Sequence, residues 1–294
     1  MQLTRGNGPD IGMRVSTDGK TLLYLQQQTV GNVWIAALDG GEAQQVTHDD
    51  QPVRAAALSP DNQRIAAIIF SSDPLAPGTQ AIVMSRDGTA RRPITPENQA
   101  PQALSWSSDG RWLAYTAAPR DQPTDSSSLF LMDGVSLSEP RLLARGQAFL
   151  GGWLDSTRLT SFDASSGDPR IVRVDGRVEP VPDSTISYPA PDGRYAVIAR
   201  LKRNARLRIP AWGPNPLASF HDIPGLESGW GIDRRGRFLI AFPAPEQVER
   251  IWLPGLRRER LPTRFLHLGP FSPSKLSPDG TQLIYIDQHS SSKS

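Results

Sequence analysis

Short apolar runs recur along the whole chain, and each is flanked by polar turns rich in aspartate and glycine. Residues 22–25, 65–68 and 283–286 are three of these runs. Apolar runs of four to eight residues bounded by turn residues predict β-strands rather than helices. The 25 glycines and 27 prolines fit many short strands joined by turns. The pattern therefore predicts an all-β chain.

The turn that precedes each run repeats at nearly constant spacing. Aspartate followed by glycine or asparagine supplies the positive-φ positions of a tight hairpin turn. The first five turn aspartates are 43, 48, 46 and 37 residues apart. The turns carry Asp18, Asp61, Asp109, Asp155, Asp192 and Asp279, with a weaker copy at Arg235.

The repeating unit contains four strands. One strand precedes the turn, the apolar run follows it, and a third strand carries an apolar pair such as Val33-Trp34 or Ile251-Trp252. A short fourth strand ends the unit. Four antiparallel strands per forty-odd residues are typical of a β-propeller blade, whereas a β-sandwich would not explain the same order in every copy. We expect seven four-stranded blades with one incomplete, and six as the alternative.

The chain ends predict how the ring closes. Residues 1–4 match the last strand of a unit, and residues 275–286 supply only the first two strands of another. We therefore expect one propeller domain over residues 1–294, with blade seven shared between residues 1–5 and 270–289 and a flexible tail at 290–294. The incomplete blade suggests that the sequence is cut from a larger protein, or that the propeller closes with a three-stranded blade.

The unit resembles a known repeat. Ser277-Pro278-Asp279-Gly280, the Trp34 strand, Leu38-Asp39-Gly40-Gly41 and Val46-Thr47 resemble the repeat of the TolB-like propellers. This repeat is shared with the propeller domains of dipeptidyl-peptidase IV and prolyl-oligopeptidase proteins and with sensor regions of bacterial signalling proteins. The resemblance is strongest over residues 11–118 and 275–286 and weakest over about 186–226.

This resemblance implies a non-catalytic propeller that binds a ligand or a protein. It favours the sensor or interaction domain of a larger bacterial signalling protein, such as a kinase or a winged-helix transcription regulator. The alternatives are a TolB-like periplasmic interaction protein and the propeller half of a serine peptidase without its hydrolase domain.

The residues themselves give little sign of catalysis. No Gly-x-Ser-x-Gly nucleophile elbow occurs, and the four histidines are scattered over different units. The sequence has no cysteine. His48-Asp49-Asp50 is read as a polar turn, and the repeated aspartates as turn formers rather than calcium ligands. We expect no enzymatic activity, no cofactor and no metal.

Charge and hydropathy limit the classes of partner that the sequence predicts. A formal net charge of +2 does not predict nucleic-acid binding, and no run of 18 apolar residues predicts membrane insertion. We expect a monomeric domain with a protein or peptide partner. The first residues lack a secretion signal, which predicts a cytoplasmic protein if the chain is complete and leaves the periplasm open if it is a fragment.

One segment is locally basic. Residues 200–260 contain 12 lysines and arginines against 6 acidic residues. A contact surface for an anionic partner is one hypothesis, and a charged edge that prevents sheets from pairing with other sheets is the alternative. Trp212 adds an aromatic residue in a proline-rich stretch. The candidate partner surface consists of Arg206, Arg208, Trp212, Arg257 and Arg258.

Overall fold

The computed structural model describes fifteen segments of the chain. They are residues 10–15, 22–48, 52–70, 78–122, 126–180, 188–189, 196–199, 204–209, 219–224, 231–233, 237–244, 247–253, 255–262, 274–277 and 280–293. Nearly all regular structure in these segments is β-strand.

Twenty-five strands are described. The first twelve are β1 (Asp10–Val15), β2 (Leu22–Ala37), β3 (Gln44–Gln45), β4 (Val53–Leu58), β5 (Arg64–Phe70), β6 (Thr79–Ser85), β7 (Arg92–Pro93), β8 (Gln99–Trp106), β9 (Trp112–Pro119), β10 (Ser128–Asp133), β11 (Arg141–Arg145) and β12 (Gln147–Trp153). The others are β13 (Arg158–Asp163), β14 (Pro169–Arg173), β15 (Val178–Pro180), β16 (Tyr188–Pro189), β17 (Ala196–Ala199), β18 (Asn204–Ile209), β19 (Ser219–Pro224), β20 (Gly231–Ile232), β21 (Phe238–Ala244), β22 (Gln247–Trp252), β23 (Arg257–Arg260), β24 (Ser274–Leu276) and β25 (Gln282–Lys293).

Twenty of these strands form five four-stranded antiparallel blades. Blade I contains β4–β7, blade II β8–β11, blade III β12–β15, blade IV β16–β19 and blade V β20–β23, with neighbours in the sheet following chain order. The first strands of successive blades contact each other from β4 through β8 and β12 to β16, and β20 contacts β24, which contacts β4. The first strands therefore lie at the centre, as in a propeller.

The other five strands form a composite sheet from both ends of the chain. Its order is β1-β2-β25-β24, and β3 pairs with the second half of β2. Strand β2 pairs with β25 over twelve residues, from Ala37 opposite Gln282 to Gln26 opposite Lys293. The first part of β2 pairs with β1. The two ends of the chain are thus joined by one continuous antiparallel ladder.

The expected count of seven blades, or six as the alternative, is therefore wrong for the described residues. They form five four-stranded blades and one five-stranded composite sheet. Residues 22–25 and Val33-Trp34 were assigned to two strands of one unit, but they belong to the single strand β2. Gly31 and Asn32 between them are residues that turns favour, but both pair with β25, and the strand continues through them. Residues 1–5 lie outside the described segments, so the shared blade and the domain boundaries remain predictions.

Alternating side chains pack the composite sheet between two blades. Val33, Ile35, Ile284 and Ile286 pack in one core cluster with blade I. The intervening residues of the same strands, among them Ala36, Leu283 and Tyr285, pack in another cluster with blade V. This period of two is what two buried sheet faces require. Each face buries large aliphatic side chains, and burial of one such side chain contributes about 1.5–3 kcal/mol.

Three of the predicted turns, which begin at Ser59, Ser107 and Ser277, share one geometry in their described residues. In blade II, Ser107 Oγ donates to Asp109 Oδ1 over 2.6 Å and accepts from the Trp112 N–H at 2.9 Å. The residue after the aspartate has positive φ in three turns: 58° at Asn62, 75° at Gly110 and 75° at Gly280. Glycine or asparagine is therefore required there.

These turns lie on one rim of the propeller. A Cβ added to Gly110 would lie 3.4 Å from Pro60 Cγ of the neighbouring turn, and one added to Gly280 would lie 2.7 Å from Asp233 Oδ1 of blade V. We call this side the turn rim, defined by the turns that begin at Ser59, Ser107 and Ser277.

Candidate functional site

The outer edge of blade V concentrates arginine around one tryptophan. The guanidinium carbon of Arg257 lies 5.4 Å from the centre of the Trp252 ring, and that of Arg250 lies 5.3 Å from the same ring. Trp252 Nε1 donates to Glu259 Oε2 over 3.0 Å. Guanidinium groups stacked on an aromatic face are held in a defined orientation. The network therefore fixes charged groups on an outer strand.

Two residues of the candidate partner surface lie on this edge. Arg257 and Arg258 belong to β23, the outermost strand of blade V, and both are exposed. Arg258 Nη1 lies 3.1 Å from Glu249 Oε2. Charged side chains on a free strand edge discourage pairing with another sheet. For β23, then, a partner surface and edge protection are both compatible with the geometry.

The other three residues are placed differently. Arg206 and Arg208 both belong to β18, the third strand of blade IV. Strand β18 is flanked by β17 and β19, so it is not an edge strand, and edge protection does not explain these arginines. The backbone of Arg206 is in register with Asp222. Trp212 lies outside the described residues, and the surface as a whole remains a prediction.

Several described carboxylates on hairpin turns cap backbone N–H groups, among them Asp133 and Asp163. Hydrogen bonds from the Ser165 hydroxyl and from the Ser166 and Ser165 N–H groups lower the pKa of Asp163 to about 2. The Ser136 N–H and hydroxyl lower the pKa of Asp133 in the same way. Both carboxylates are ionised turn formers, the role that the sequence predicted for the repeated aspartates and not for these two. Within the described segments, no group of three or more histidines and carboxylates lies close enough to hold a metal ion.

The turn of blade V replaces the serine with an ion pair. The Asp233 N–H donates to the Phe238 carbonyl oxygen over 3.0 Å. In blade II the Ser107 N–H donates to the Trp112 carbonyl oxygen in the same way, so Asp233 occupies the position of the turn serine. Asp233 is 1% exposed, and its carboxylate accepts from Arg237 Nε at 2.7 Å and from Nη2 at 3.0 Å. This bond raises the pKa of Arg237 above its usual value. Two parallel bonds to a guanidinium are the strong form of this contact.

The opposite ends of the first strands carry β-bulges at matching positions. Val53 pairs with Ile69 and Ala55 with Ile68, so Arg54 is the extra residue in β4. Gln102 is the extra residue in β8 by the same count. A bulge removes a residue from the alternation between the two sheet faces.

The bulge in β12 falls at Ala148, next to Phe149. We call the side of the propeller with Arg54, Gln102 and Ala148 the bulge rim. Arg54 is exposed, and Phe149 is 59% exposed although it lies on a first strand. Sequence reasoning missed both residues. The available signal was an arginine and a large aromatic residue in strands otherwise made of small or aliphatic side chains.

No family model matches the chain, and no curated protein matches it. Among solved structures, TolB from Acinetobacter baumannii is similar with a TM-score of 0.56 and 15% identity, covering 80% of this chain. The fold is that of a TolB-like β-propeller. The predicted resemblance to this family of propellers is thus confirmed. The propeller spans 65% of the length of that TolB chain.

An enzyme has a similar fold. Oligogalacturonate lyase from Vibrio parahaemolyticus is 12% identical, with a TM-score of 0.53, and the match covers 96% of this chain and 98% of that one. An oligogalacturonate lyase in complex with manganese matches with the same identity and coverage and a TM-score of 0.56. At such identities the likeness is one of fold. The fold is therefore shared by a lyase and by TolB, and it does not decide between catalysis and binding.

The described part of the propeller contains no helix long and apolar enough to cross a membrane.

The Asp233–Arg237 pair predicts an asymmetry between two turns. Arg237→Ala should lower the free energy of unfolding by roughly 1–3 kcal/mol, because it leaves a buried carboxylate without its cation. Arg158→Ala is the matched control, since Arg158 Nε pairs with Asp155 over 2.8 Å but both side chains are more than a third exposed. Its expected cost is about 0–1 kcal/mol. Urea denaturation measures both, and equal losses would contradict the role given to Asp233.

Proposed function

We propose that this propeller is a non-catalytic recognition domain that binds a protein or peptide partner. The observation that carries the proposal is the outer edge of blade V, where the Arg257 guanidinium is stacked on Trp252 and its side chain remains exposed to solvent. Tryptophan and arginine are the residues most often found at the energetic centre of protein interfaces. Their orientation is set before a partner arrives, which reduces the entropy cost of binding.

The charge of this surface favours an anionic partner. Arg257 and Arg258 are consecutive on the edge strand β23 and project to its opposite faces. Arg206 and Arg208 add two cationic residues on β18 of the preceding blade. Opposite charges accelerate association and select partners more than they add affinity. An acidic segment of a protein is the ligand class that fits best.

The resemblance of the repeat supports a wider context. Sensor regions of bacterial kinases and winged-helix transcription regulators carry propellers of this kind, and on that basis we assign the domain to a larger signalling protein. A periplasmic interaction protein like TolB would use the same surface. The propeller half of a serine peptidase is the third possibility, in which the domain would contact a hydrolase instead of a separate partner.

The partner surface is tested with a defined anionic probe. Binding of an octaglutamate peptide, with octaglutamine as its neutral counterpart, is measured by isothermal titration calorimetry at low salt. Replacement of Arg257 and Arg258 with serine should weaken octaglutamate binding by roughly three- to tenfold through the loss of two exposed cations. Adding Arg206→Ser and Arg208→Ser should weaken it further.

The control uses an equivalent pair of arginines on another blade. Arg91 is exposed directly before β7, and Arg92 is exposed on β7, the outermost strand of blade I. Their replacement with serine removes the same charge at another edge. If both double variants weaken binding equally, or if neither does, the surface on blades IV and V has no special role.

A lyase is the second candidate function. The observation in its favour is that the V. parahaemolyticus lyase and this chain match over nearly their full lengths. Incubation with oligogalacturonate and manganese separates the two functions. The recognition proposal expects no shortening of the oligosaccharide, by chromatography, above that of a heat-denatured sample. Manganese-dependent shortening would replace it with a catalytic function.

A further inference from the structure

We infer that the bulge rim contains a binding site for a ligand that carries a single carboxylate beside an apolar or aromatic group. This site is separate from the arginine surface of blades IV and V and uses none of its residues. The ligand is recognised by Arg54, Gln102 and Phe149, on three successive first strands.

The fold places these three strands side by side. Strand β4 contacts β8, and β8 contacts β12. Each has a bulge at the same position, one residue before the residue that pairs with Ile68, Thr116 or Phe162 of its own blade, and β12 has a second bulge closer to its end. The three bulges are therefore at one level of three adjacent strands, and Phe149 directly follows the one at Ala148.

The bulge in blade I frees Arg54 from the core. Val53 packs in the cluster between blade I and the composite sheet, and Ala55 packs against the cluster between blades I and II. Arg54 lies between them and belongs to neither packed face. No described carboxylate forms an ion pair with it, whereas Arg158, Arg237 and other described arginines do pair. Arg54 therefore offers an exposed cation at the centre of the ring.

The bulge in blade II supplies neutral hydrogen-bonding groups. The Nε2 atom of Gln102 is buried and has no hydrogen-bond partner. Thr116, opposite the next residue of β8, is fully buried, and its hydroxyl oxygen also lacks a partner. An unpaired buried polar group costs about 1–3 kcal/mol. The cost is recovered if a ligand oxygen accepts from Gln102.

These groups define the charge of the ligand. An amide N–H and one guanidinium match a single negative charge with two oxygens, which is a carboxylate. A phosphate dianion would leave one charge without a partner. Phe149 on the next first strand adds an exposed ring, and Ser161 Oγ donates over 2.8 Å to its carbonyl oxygen, which fixes the backbone there. The ligand group beside the carboxylate is therefore apolar or aromatic.

The experiment compares acids with their neutral amides. The probes are phenylacetate against phenylacetamide, and the peptide Gly-Gly-Phe with a free carboxyl terminus against the same peptide amidated. Calorimetry with the full chain should show at least tenfold tighter binding of the acid in one pair or both, as expected for a charged hydrogen bond. Preference in the phenylacetate pair alone indicates a free organic acid, and preference in the peptide pair alone indicates a chain terminus.

Two variants assign the preference to the proposed residues. Arg54→Gln should abolish it by removing the cation, and Gln102→Glu should abolish it by placing a like charge beside the carboxylate. Arg92→Gln on the outer strand of the same blade should leave it unchanged. Urea denaturation midpoints show whether each variant is folded. If Arg54→Gln does not fold, Arg54→Lys replaces it. Lysine keeps the charge but lacks the planar guanidinium, so this variant should retain part of the preference for the acid over its amide.

The inference is overturned if neither acid binds more tightly than its amide, or if the preference survives in Arg54→Gln. Either result leaves the arginine surface on blades IV and V untouched. Failure of the octaglutamate experiment would likewise say nothing against the bulge rim, because the two tests share neither residues nor probes.

Discussion

The antiparallel ladder between β2 and β25 is the interaction on which the rest of this propeller depends. A blade buries its faces only against its neighbours, so an array of blades exposes apolar surface wherever it does not close. Here a strand near the beginning of the chain and a strand near its end pair over twelve residues. Their side chains alternate between the cores shared with blades I and V. Backbone pairing and apolar burial therefore secure the ring at the same place.

The closed ring sets different conditions on its two rims. On the turn rim, serine and aspartate side chains are occupied by the turns themselves, and Asp233 with Arg237 performs this task in blade V. On the bulge rim, the same first strands depart from regular pairing and present Arg54 and Phe149. A rigid scaffold with one satisfied rim and one rim of unpaired donors suits recognition. The proposed carboxylate site rests on that contrast, whereas the arginine surface of blade V lies on an outer edge strand and does not depend on it.

The sequence predicted the local features well because they depend on neighbouring residues. The positive φ of Gly110 and Gly280 follows from the turn that contains them, and so does the strand after each turn. Closure could not be predicted in the same way. Whether residues 26–31 form a linker or continue a strand depends on a partner more than 250 residues away, and only the arrival of β25 makes them part of β2.

The candidate sites show the same limit. Arg257 and Arg258 were found from local charge density, and the structure places them on an exposed edge. The charge density gave no sign that β18 is an inner strand. Arg54 escaped notice because a single arginine in an apolar strand has no motif. Its meaning comes from a register shift, which depends on how β4 pairs with β5. The role of Asp233 was also not predicted. Other copies of the repeat have serine at this position, and Arg237, which neutralises the Asp233 carboxylate, lies four residues later in the sequence.

Amide hydrogen exchange across β2 and β25 tests the central claim most directly. If this ladder closes the propeller, the amides of residues 32–37 and 282–287 open only with the whole fold, and they should exchange as slowly as those in the middle of β5 and β9. Exchange in both segments that is orders of magnitude faster than in β5 and β9 would contradict the account, because the ring would then open at this ladder while the blades stayed folded.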